Sequence, residues 1–424
     1  KQQFPKTVSI NKLLNKEVDT DILGDKLTVT PNGACFRTDK RGFLPELMEK
    51  FYTDRTKFKK YMLDAKQKYE ETKDQKYVNQ IGTYHNIQLA RKIALNSAYG
   101  ALGNEFFRYY DERMATAITT SGQLSIRWIE ARVNNYLNEI LKTEGEDYII
   151  ASDTDSIYVR FKELVDKVNP KNPIEFLNKV AEEKIQPFID GCYQELADYV
   201  HAYDQKMEMG REVIADKGIW TAKKRYILNV HDNEGVRYSE PQLKIMGIEA
   251  VKSSTPHACR ERIKESLKVI VNEDETAVNE FIQNFRKEFM NLPVEAMAFP
   301  RSCNGLKKWG DRSSIFKKGT PMHIKGALIY NYLLKQHKLT NRYQLIQDGD
   351  KLKYLLLKTP NIVQSNVIAF NGELPKEFNL HDQIDRDKQF EKSFVDPIEI
   401  ILECIDWQVD RSYGTRRTLE GLFG

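Results

Sequence analysis

Two aspartates stand close together in the segment YIIASDTDSIYV, which spans residues 148–159. Asp153 and Asp155 lie between short runs of residues that strands prefer, where a charge is costly to bury without a partner. If the segment forms a β-hairpin, both carboxylates lie at its tip and share a face, because side chains i and i+2 of a strand point the same way. Two close like charges repel unless a cation binds between them, and Mg²⁺ prefers oxygen ligands. The pair therefore suits a site that holds two metal ions for phosphoryl transfer.

An ordinary aspartate-rich turn is the alternative explanation for this pair. The sequence contains a second Asp-Thr-Asp at residues 19–21, which lacks the flanking strand pattern and which we interpret as a surface turn. The flanking strand pattern, and not the Asp-Thr-Asp tripeptide alone, favours a metal site at residues 153–155.

A second group of residues follows helical spacing. Lys92, Asn96 and Tyr99 are spaced i, i+4 and i+7, so a helix brings them to one face. A cation, an amide and an aromatic ring suit a phosphate, a sugar or base edge, and a base plane. Arg55 and Lys59 are also spaced i, i+4 in the preceding helical pattern, and both could reach a triphosphate. Two solvated basic faces remain the alternative.

The elements that must position these residues follow from periodicity. Helical patterns run from Pro45 to about Lys76 and from about Tyr84 to Ser97. The polar segment ETKDQKYVNQIG (71–82) predicts a bend between them, so we expect an antiparallel helical hairpin. Further predictions are helices at 115–141 and 173–203, a β-hairpin at 144–161, strands at 220–247 with DNEG as their turn, and a mainly helical region after 253.

Composition narrows the class of protein. The chain has 424 residues and a net charge of +4, with 41% hydrophobic and 30% charged residues, which indicates a folded globular chain of two to four structural units. No apolar run approaches the roughly 20 residues that span a bilayer, so no membrane partner is expected. The scattered cysteines form no C-x-x-C pair, which indicates neither a zinc site nor a disulfide scaffold and fits a cytoplasmic setting. They are Cys35, Cys192, Cys259, Cys303 and Cys404.

The segment from Arg301 to Lys338 is strongly basic. It contains nine Lys or Arg residues and one acid, Asp311. Aromatic residues are interleaved with them, at Trp309, Phe316, Tyr330 and Tyr332. Such a segment suits the backbone of a polyanion such as a nucleic acid, and a solvated basic face is the alternative.

Three motifs resemble those of family B DNA polymerases. DTDS (153–156) between strands resembles the C motif, KIALNSAYG (92–100) the B motif, and WTAKKRY (220–226) the KKRY motif that holds the primer-template. Their order and spacing agree with that family. Longer stretches, NSAYGALGNEFFRYYDERMATAIT, KIMGIEAVKSSTP and LEGLFG, most resemble replicative polymerases of large tailed phages, and the resemblance covers nearly all 424 residues.

The resemblance implies an α+β fold of the right-hand type. Residues 1–43 would be a residual N-terminal palm segment, 44–104 the helical-hairpin fingers, 105–250 the mixed-sheet palm, and 251–424 a mainly helical thumb ending in a clamp-binding peptide. The implied activity is template-directed DNA synthesis from dNTPs with two Mg²⁺ ions. The implied partners are primer-template DNA, dNTP and a sliding clamp.

The resemblance also implies roles for residues at matching motif positions. Asp155 matches the invariant metal ligand and Asp153 its weaker acidic neighbour. The triphosphate-gripping cations match Arg55, Lys59 and Lys92, with the polar Asn96 beside them, and Tyr99 matches the tyrosine that lies against the nascent base pair.

Further matches concern the DNA, the metal and the clamp. The duplex-gripping motif matches Lys223, Lys224, Arg225 and Tyr226, where lysine can reach minor-groove acceptors shared by all base pairs. Glu212, in GREVIA, is a weaker match to an auxiliary acid near the metals. The C-terminal LEGLFG resembles a sliding-clamp anchor through Leu419, Leu422 and Phe423, and docking of this tail onto its own domain is the alternative.

One family motif has no match in the chain. In the family, the A motif, D-x-x-S-L-Y-P, supplies the other metal-binding aspartate. Residues 26–36, KLTVTPNGACF, resemble the sequence that follows this motif, so we expect the motif just before Lys1. The exonuclease domain is also unmatched. We therefore expect one metal-ligand set to be incomplete in this chain and to be completed by an N-terminal polymerase and exonuclease polypeptide or segment.

Two questions stay open from the sequence. The chain is either the C-terminal subunit of a naturally split polymerase, which we favour, or a shortened polymerase. A rival function is a non-catalytic subunit that binds primer-template DNA and tethers the clamp. The retained Asp155, Lys92 and Arg55 argue against that rival, because a pure binding module has no use for triphosphate ligands.

Overall fold

The computed structural model describes residues 8–311 and 313–411, which fold into two compact units. Among the described residues, the first unit comprises 8–216 and 230–242, and the second comprises 217–229, 243–311 and 313–411. Helices and strands both contribute to the fold, which confirms the predicted α+β class. Within the described residues, no helix is long and apolar enough to cross a membrane.

The first unit combines long helices with small antiparallel hairpins. Its elements are α1 (Ile10–Leu14), β1 (Leu27–Val29), β2 (Cys35–Arg37), α2 (Phe43–Thr72), α3 (Gln75–Leu102), α4 (Glu112–Leu141), β3 (Ile149–Asp153), β4 (Ser156–Val159), α5 (Lys162–Val168), α6 (Pro173–Val180) and α7 (Gln186–Tyr199). A 3₁₀ turn covers Asp21–Lys26, and a π turn at Ala181–Ile185 joins α6 to α7. Strand β1 pairs with β2 and β3 pairs with β4, both antiparallel.

The β3–β4 hairpin packs on the hydrophobic core of the first unit, which α4 and α7 also form. Buried residues recur at every fourth position along α4, at Ile129, Val133, Leu137 and Leu141, with Trp128 beside them, because helix α4 turns one apolar face inward. This face belongs to the same core cluster as Ile149 of β3 and as residues of α7. The buried Trp128 donates its indole N–H to the Cys192 carbonyl at 2.9 Å, so its one polar atom is satisfied.

Helices α2 and α3 form the predicted helical hairpin, and the bend lies within the predicted segment 71–82 but is much shorter than expected. The connection is only Lys73 and Asp74, whereas the polar segment 71–82 was expected to be non-helical. Lys73 takes a left-handed backbone with φ 54, and the Asp74 carboxylate caps α3 by accepting from the Lys76 N–H. Polarity alone misled the prediction, because the residues after Asp74 are compatible with an exposed helix.

Three further strands have residues in both units. They are β5 (Val213–Ala222), β6 (Arg225–Asn233) and β7 (Val236–Met246), in the sheet order β5-β6-β7. The predicted strands at 220–247 are confirmed, and β5 begins earlier than the pattern suggested. Glu234 and Gly235 connect β6 to β7 with φ of 54 and 87, the two positive values of a type I′ turn, as DNEG predicts.

The second unit combines helices with a buried sheet. Its elements are α8 (His257–Asn272), α9 (Glu275–Phe289), α10 (Val294–Met297), β8 (Phe299–Ser302), α11 (Leu306–Trp309), β9 (Gly310–Asp311), β10 (Ile315–Phe316), α12 (Met322–Gln336), β11 (Lys351–Leu356), β12 (Val367–Phe370), α13 (Arg386–Phe390) and α14 (Asp396–Glu403). Strands β8, β11 and β12 form an antiparallel sheet that the sequence analysis did not identify. All four residues of β12 are buried, so the strand shows no polar–apolar alternation to reveal it.

Candidate active site

Asp153 and Asp155 lie at the tip of the β3–β4 hairpin, as predicted. Asp153 ends β3 opposite Ser156, and Thr154 and Asp155 form the two-residue connection. The Asp155 N–H donates to the Asp153 carbonyl at 2.7 Å while Thr154 has φ 60, which makes the tip a tight γ-like turn. The Thr154 hydroxyl donates to the Asp153 carboxylate at 3.0 Å. Asp155 is exposed and Asp153 is half-buried, so both carboxylates belong to one small, rigid turn.

The charge of Asp155 acts on a buried tyrosine of α7. Burial, and secondarily the negative charge of Asp155, raises the pKa of Tyr193 to about 12. Tyr193 belongs to the core cluster that also contains Ile149 of β3. The hairpin tip therefore stands over the core of its unit, and a neutral Tyr193 adds no second negative charge beside it.

The two carboxylates fit a divalent cation only as part of a ligand set. Hard oxygen ligands of this kind suit Mg²⁺, which accepts one or two protein carboxylates alongside substrate phosphates. Across residues 8–311 and 313–411, no group of three or more His, Cys, Asp or Glu side chains could hold a metal ion. Glu212 is exposed just before β5, and its carbonyl accepts the Glu234 N–H. The structure therefore does not bring Glu212 into a metal-holding group with Asp153 and Asp155.

The predicted triphosphate cations lie on the two helices of the α2–α3 hairpin. Arg55 lies 18 residues before Lys73 and Lys92 lies 18 residues after Asp74, so both stand at the same level, about 27 Å along the helices from the bend. The Arg55 Nε is buried and has no hydrogen-bond partner among the described residues. Lys92 is exposed. The hairpin thus carries two cations at one height, of which Lys92 is exposed and Arg55 is half-buried.

The B-motif residues share the exposed face that the spacing predicts. Asn96 is exposed and Tyr99 is 44% exposed, on the same helix face as Lys92. The hairpin itself is held by aromatic packing, in which Tyr84 of α3 contacts Phe58 and Tyr61 of α2 with ring centroids 6.3 and 5.5 Å apart. The exposed face that carries Lys92, Asn96 and Tyr99 therefore does not contribute to this aromatic packing.

Lys59 differs from the other cations because it already has an anionic partner. Its ammonium forms an ion pair with the carboxylate of Glu234, in the β6–β7 turn, at 2.5 Å. The two side chains are 32% and 22% exposed. Any role of Lys59 in binding a phosphate requires that this pair opens.

The KKRY segment divides into an exposed turn and a buried support. Lys223 and Lys224 connect β5 to β6 and are both exposed. Arg225 forms a two-pronged ion pair with Glu249, at 3.1 and 2.7 Å, and Tyr226 is only 6% exposed. Lys223 and Lys224 are therefore the exposed cations of the KKRY segment, while Arg225 and Tyr226 support the turn.

Gly247, in the stretch KIMGIEAVKSSTP, allows the close approach of the chain to this lysine turn. Gly247 has φ +64, and a Cβ at that position would lie 2.2 Å from the Lys224 carbonyl oxygen. Only glycine allows the chain after β7 to approach the lysine turn so closely.

The Arg225–Glu249 pair makes the second unit sensitive to acid. Burial raises the pKa of Glu249, but hydrogen bonds from Lys252 and Arg225 outweigh burial, so the net pKa lies below the usual value. A depressed carboxyl pKa stabilises the fold above the unfolded value of about 4.3 and ceases to do so as the pH falls through the folded value.

We expect Glu249→Gln to lower the free energy of unfolding by about 1–2 kcal/mol at pH 7, because the charged Arg225 loses its partner. The difference from the unchanged chain should shrink as the pH falls below the unfolded value of about 4.3 and through the lower pKa of the folded state, because Glu249 is then protonated in both states. Urea unfolding at pH 7 and near pH 3 measures this. A variant whose deficit is the same at both pH values would contradict the assignment.

The predicted clamp anchor, Leu419, Leu422 and Phe423, lies outside the described residues. Residues that sequence reasoning missed include Tyr193, Glu234, Gly247 and Glu249. The only sequence signal was at Glu234, in the recognised DNEG turn, and that signal concerned backbone shape and not its ionic partner.

Comparison with known proteins identifies the family of this chain. A family model described as DNA polymerase family B matches residues 4–405, and the chain belongs to this family.

Within the family, the chain is similar to two phage enzymes and, at lower identity, to a plant enzyme. The DNA-directed DNA polymerase of Enterobacteria phage T4 is 35% identical over 459 residues, covering 94% of this chain and 50% of that protein. The DNA-directed DNA polymerase of Escherichia phage RB69 is 35% identical over 435 residues, covering 88% and 48%. The DNA polymerase delta catalytic subunit of Arabidopsis thaliana is 23% identical over 342 residues, covering 79% and 27%. The chain spans about half the length of the two phage relatives.

Proposed function

We propose that this chain is the polymerase portion of a replicative DNA polymerase that adds deoxynucleotides from dNTPs to a primer 3′ end. The observation that carries the proposal is the carboxylate pair at the tip of the β3–β4 hairpin, within a chain that belongs to family B. In a right-hand layout, 44–104 are the fingers, 105–250 the palm and 251–424 the thumb, with 1–43 as a residual palm segment.

The proposal assigns the chemistry to two places in the first unit. Asp155 and Asp153 would hold two Mg²⁺ ions as part of a larger ligand set, and these ions would supply charge neutralisation of the triphosphate and activation of the primer 3′ oxygen. Arg55 and Lys92, at one level of the α2–α3 hairpin, bind and orient the triphosphate through charge-assisted hydrogen bonds. Asn96 and Tyr99 face the sugar and base of the same nucleotide.

The second unit would hold the primer-template. Lys223 and Lys224 offer an exposed cationic turn, and the basic segment 301–338 offers further charge. Not every cation there is available, because Lys325 donates to Asn366 and lies 4.8 Å from the Phe316 ring centroid, and burial lowers its pKa. Lys308, which lies 5.1 Å from the Trp309 ring centroid, is exposed and suits a phosphate contact.

The proposed partners follow from the same assignment. An N-terminal polymerase and exonuclease polypeptide or segment supplies the A-motif aspartate, and a sliding clamp binds the C-terminal peptide through Leu419, Leu422 and Phe423. The proposed setting is the cytoplasm of a phage host. A second candidate function, a non-catalytic subunit that binds primer-template DNA and tethers the clamp, is favoured by one observation: no third acidic, His or Cys ligand joins Asp153 and Asp155 within the described residues.

Primer extension with Mg²⁺ tests the proposal. The chain is assayed alone, then with the polypeptide encoded immediately upstream, with Asp155→Ala as the control. Synthesis only on mixing, abolished by Asp155→Ala, would establish a site completed by the second polypeptide. Synthesis by the chain alone would contradict the incomplete ligand set. No synthesis in either case, with DNA binding intact, would favour the non-catalytic subunit.

The triphosphate assignment predicts a loss of nucleotide binding. Arg55→Ala and Lys92→Ala should each weaken dNTP binding about ten- to hundredfold, since each removes a charge-assisted hydrogen bond worth about 1.5–3 kcal/mol. Titration calorimetry of each variant with dATP and Mg²⁺ measures the change.

Lys68→Ala is the matched control for these variants. Lys68 is exposed on α2 but lies 13 residues nearer the bend than Arg55, about 20 Å along the helix. Its replacement should leave dNTP binding unchanged. Equal binding by Arg55→Ala, Lys92→Ala and Lys68→Ala would remove these residues from the site.

A further inference from the structure

The α2 helix is tied to the β6–β7 turn at two points. Lys59 pairs with Glu234, and Gln67, eight residues later, accepts a hydrogen bond from the Arg237 N–H at 3.0 Å through its side-chain oxygen. Positions 59 and 67 lie about two turns apart, so one stripe of α2 makes both contacts. All of these residues belong to the first unit.

The turn that carries Glu234 is rigidly built. The Asp232 carboxylate is 1% exposed and accepts from the Gly235 N–H at 3.0 Å, from Arg237 Nε at 3.0 Å, and from Arg211. Burial of this charge is tolerated because two arginines and a backbone donor satisfy it. The Glu234 N–H donates to the Glu212 carbonyl. Glu234 therefore presents its carboxylate from a fixed support, and the movable partner in the ion pair is the long Lys59 side chain.

The ion pair lies one helical turn from a cation that lacks such a partner. Arg55 precedes Lys59 by four residues on α2, and its buried Nε has no hydrogen-bond partner among the described residues. On this stretch of α2, Lys59 is therefore already neutralised by a carboxylate, whereas the buried Nε of Arg55 is not. The part-buried Glu234 carboxylate neutralises Lys59 and so competes with any phosphate for the same ammonium group. A phosphate can pair with Lys59 only by displacing this carboxylate.

We infer that Glu234 competes with the nucleotide triphosphate for Lys59 and so acts as a positioning residue that lowers nucleotide affinity. The inference rests on the proposed function for the identity of the ligand. Triphosphate binding exchanges the partner of Lys59 from Glu234 to a phosphate oxygen, and the exchange releases α2 from the β6–β7 turn at that point.

Glu234→Gln tests the inference because it removes the charge and keeps the size and the turn. The variant should bind dATP with Mg²⁺ about two- to fivefold more tightly than the unchanged chain, the range expected for a part-exposed ion pair. In a Lys59→Met background, the same change should have no effect on affinity. Titration calorimetry on the full chain measures all four proteins, and thermal unfolding checks that each is folded.

Gln67→Ala is the matched control, since it removes the other tie between α2 and the turn without touching Lys59. Its dATP affinity should equal that of the unchanged chain. An equal gain in Gln67→Ala and Glu234→Gln would show that helix release, and not competition for charge, controls affinity. Unchanged or weaker binding by Glu234→Gln would overturn the inference. If the chain and its variants do not bind dATP at all, the proposed function fails separately from this inference, which would fail alone if dATP binds but Glu234→Gln shows no gain.

Discussion

Asp155→Asn should abolish the proposed nucleotide addition, lowering turnover in primer extension with the upstream polypeptide present by about a thousandfold or more. The change removes one carboxylate charge from the hairpin tip, and asparagine holds a divalent cation less well than aspartate. Asp155 is exposed in a two-residue connection, so the free energy of unfolding should stay within about 0.5 kcal/mol. Single-turnover primer extension and urea unfolding together separate the two effects.

The chain supplies a matched control for this variant. Asp21 ends the second Asp-Thr-Asp, its side chain is 94% exposed, and it begins the 3₁₀ turn Asp21–Lys26 instead of lying at the tip of a β-hairpin. Asp21→Asn should leave primer extension unchanged. If Asp155→Asn retains full turnover, the hairpin carboxylates are not metal ligands, and the loss of the central observation would end the proposed function.

Gly247→Ala should destabilise the second unit by about 3–4 kcal/mol, the largest effect on stability that we expect from a single added methyl group. A positive φ costs a non-glycine residue about 1–2 kcal/mol, and the new Cβ would lie 2.2 Å from the Lys224 carbonyl oxygen. Relief of that clash must move the lysine turn, so primer-template affinity should fall as well. Urea unfolding and fluorescence anisotropy with a labelled duplex measure the two results.

Gly319→Ala separates backbone strain from the clash. Gly319 lies in the same unit with φ +83, and a Cβ there would meet no atom within 4 Å. This variant should lose only about 1–2 kcal/mol and keep its affinity for DNA. Equal losses in Gly247→Ala and Gly319→Ala would mean that the close approach to Lys224 has no role in shaping the turn.

Local physical chemistry was enough for several features of the site. The β3–β4 hairpin follows from strand-forming residues on both sides of Asp153 and Asp155, and the exposed face of Lys92, Asn96 and Tyr99 follows from helical spacing alone. The type I′ turn at Glu234 follows from DNEG, since adjacent residues decide backbone shape in so short a connection.

Tertiary structure decided what the same residues contact. The i, i+4 spacing of Arg55 and Lys59 makes them equivalent in sequence, yet only Lys59 meets Glu234, 175 residues further along the chain. Likewise the KKRY motif reads as four DNA-binding residues, while burial of Tyr226 and the pairing of Arg225 with Glu249 leave two lysines exposed. Spacing determines which residues share a face of one element. Which element covers that face depends on long-range packing, and a single sequence carries no local signal of it.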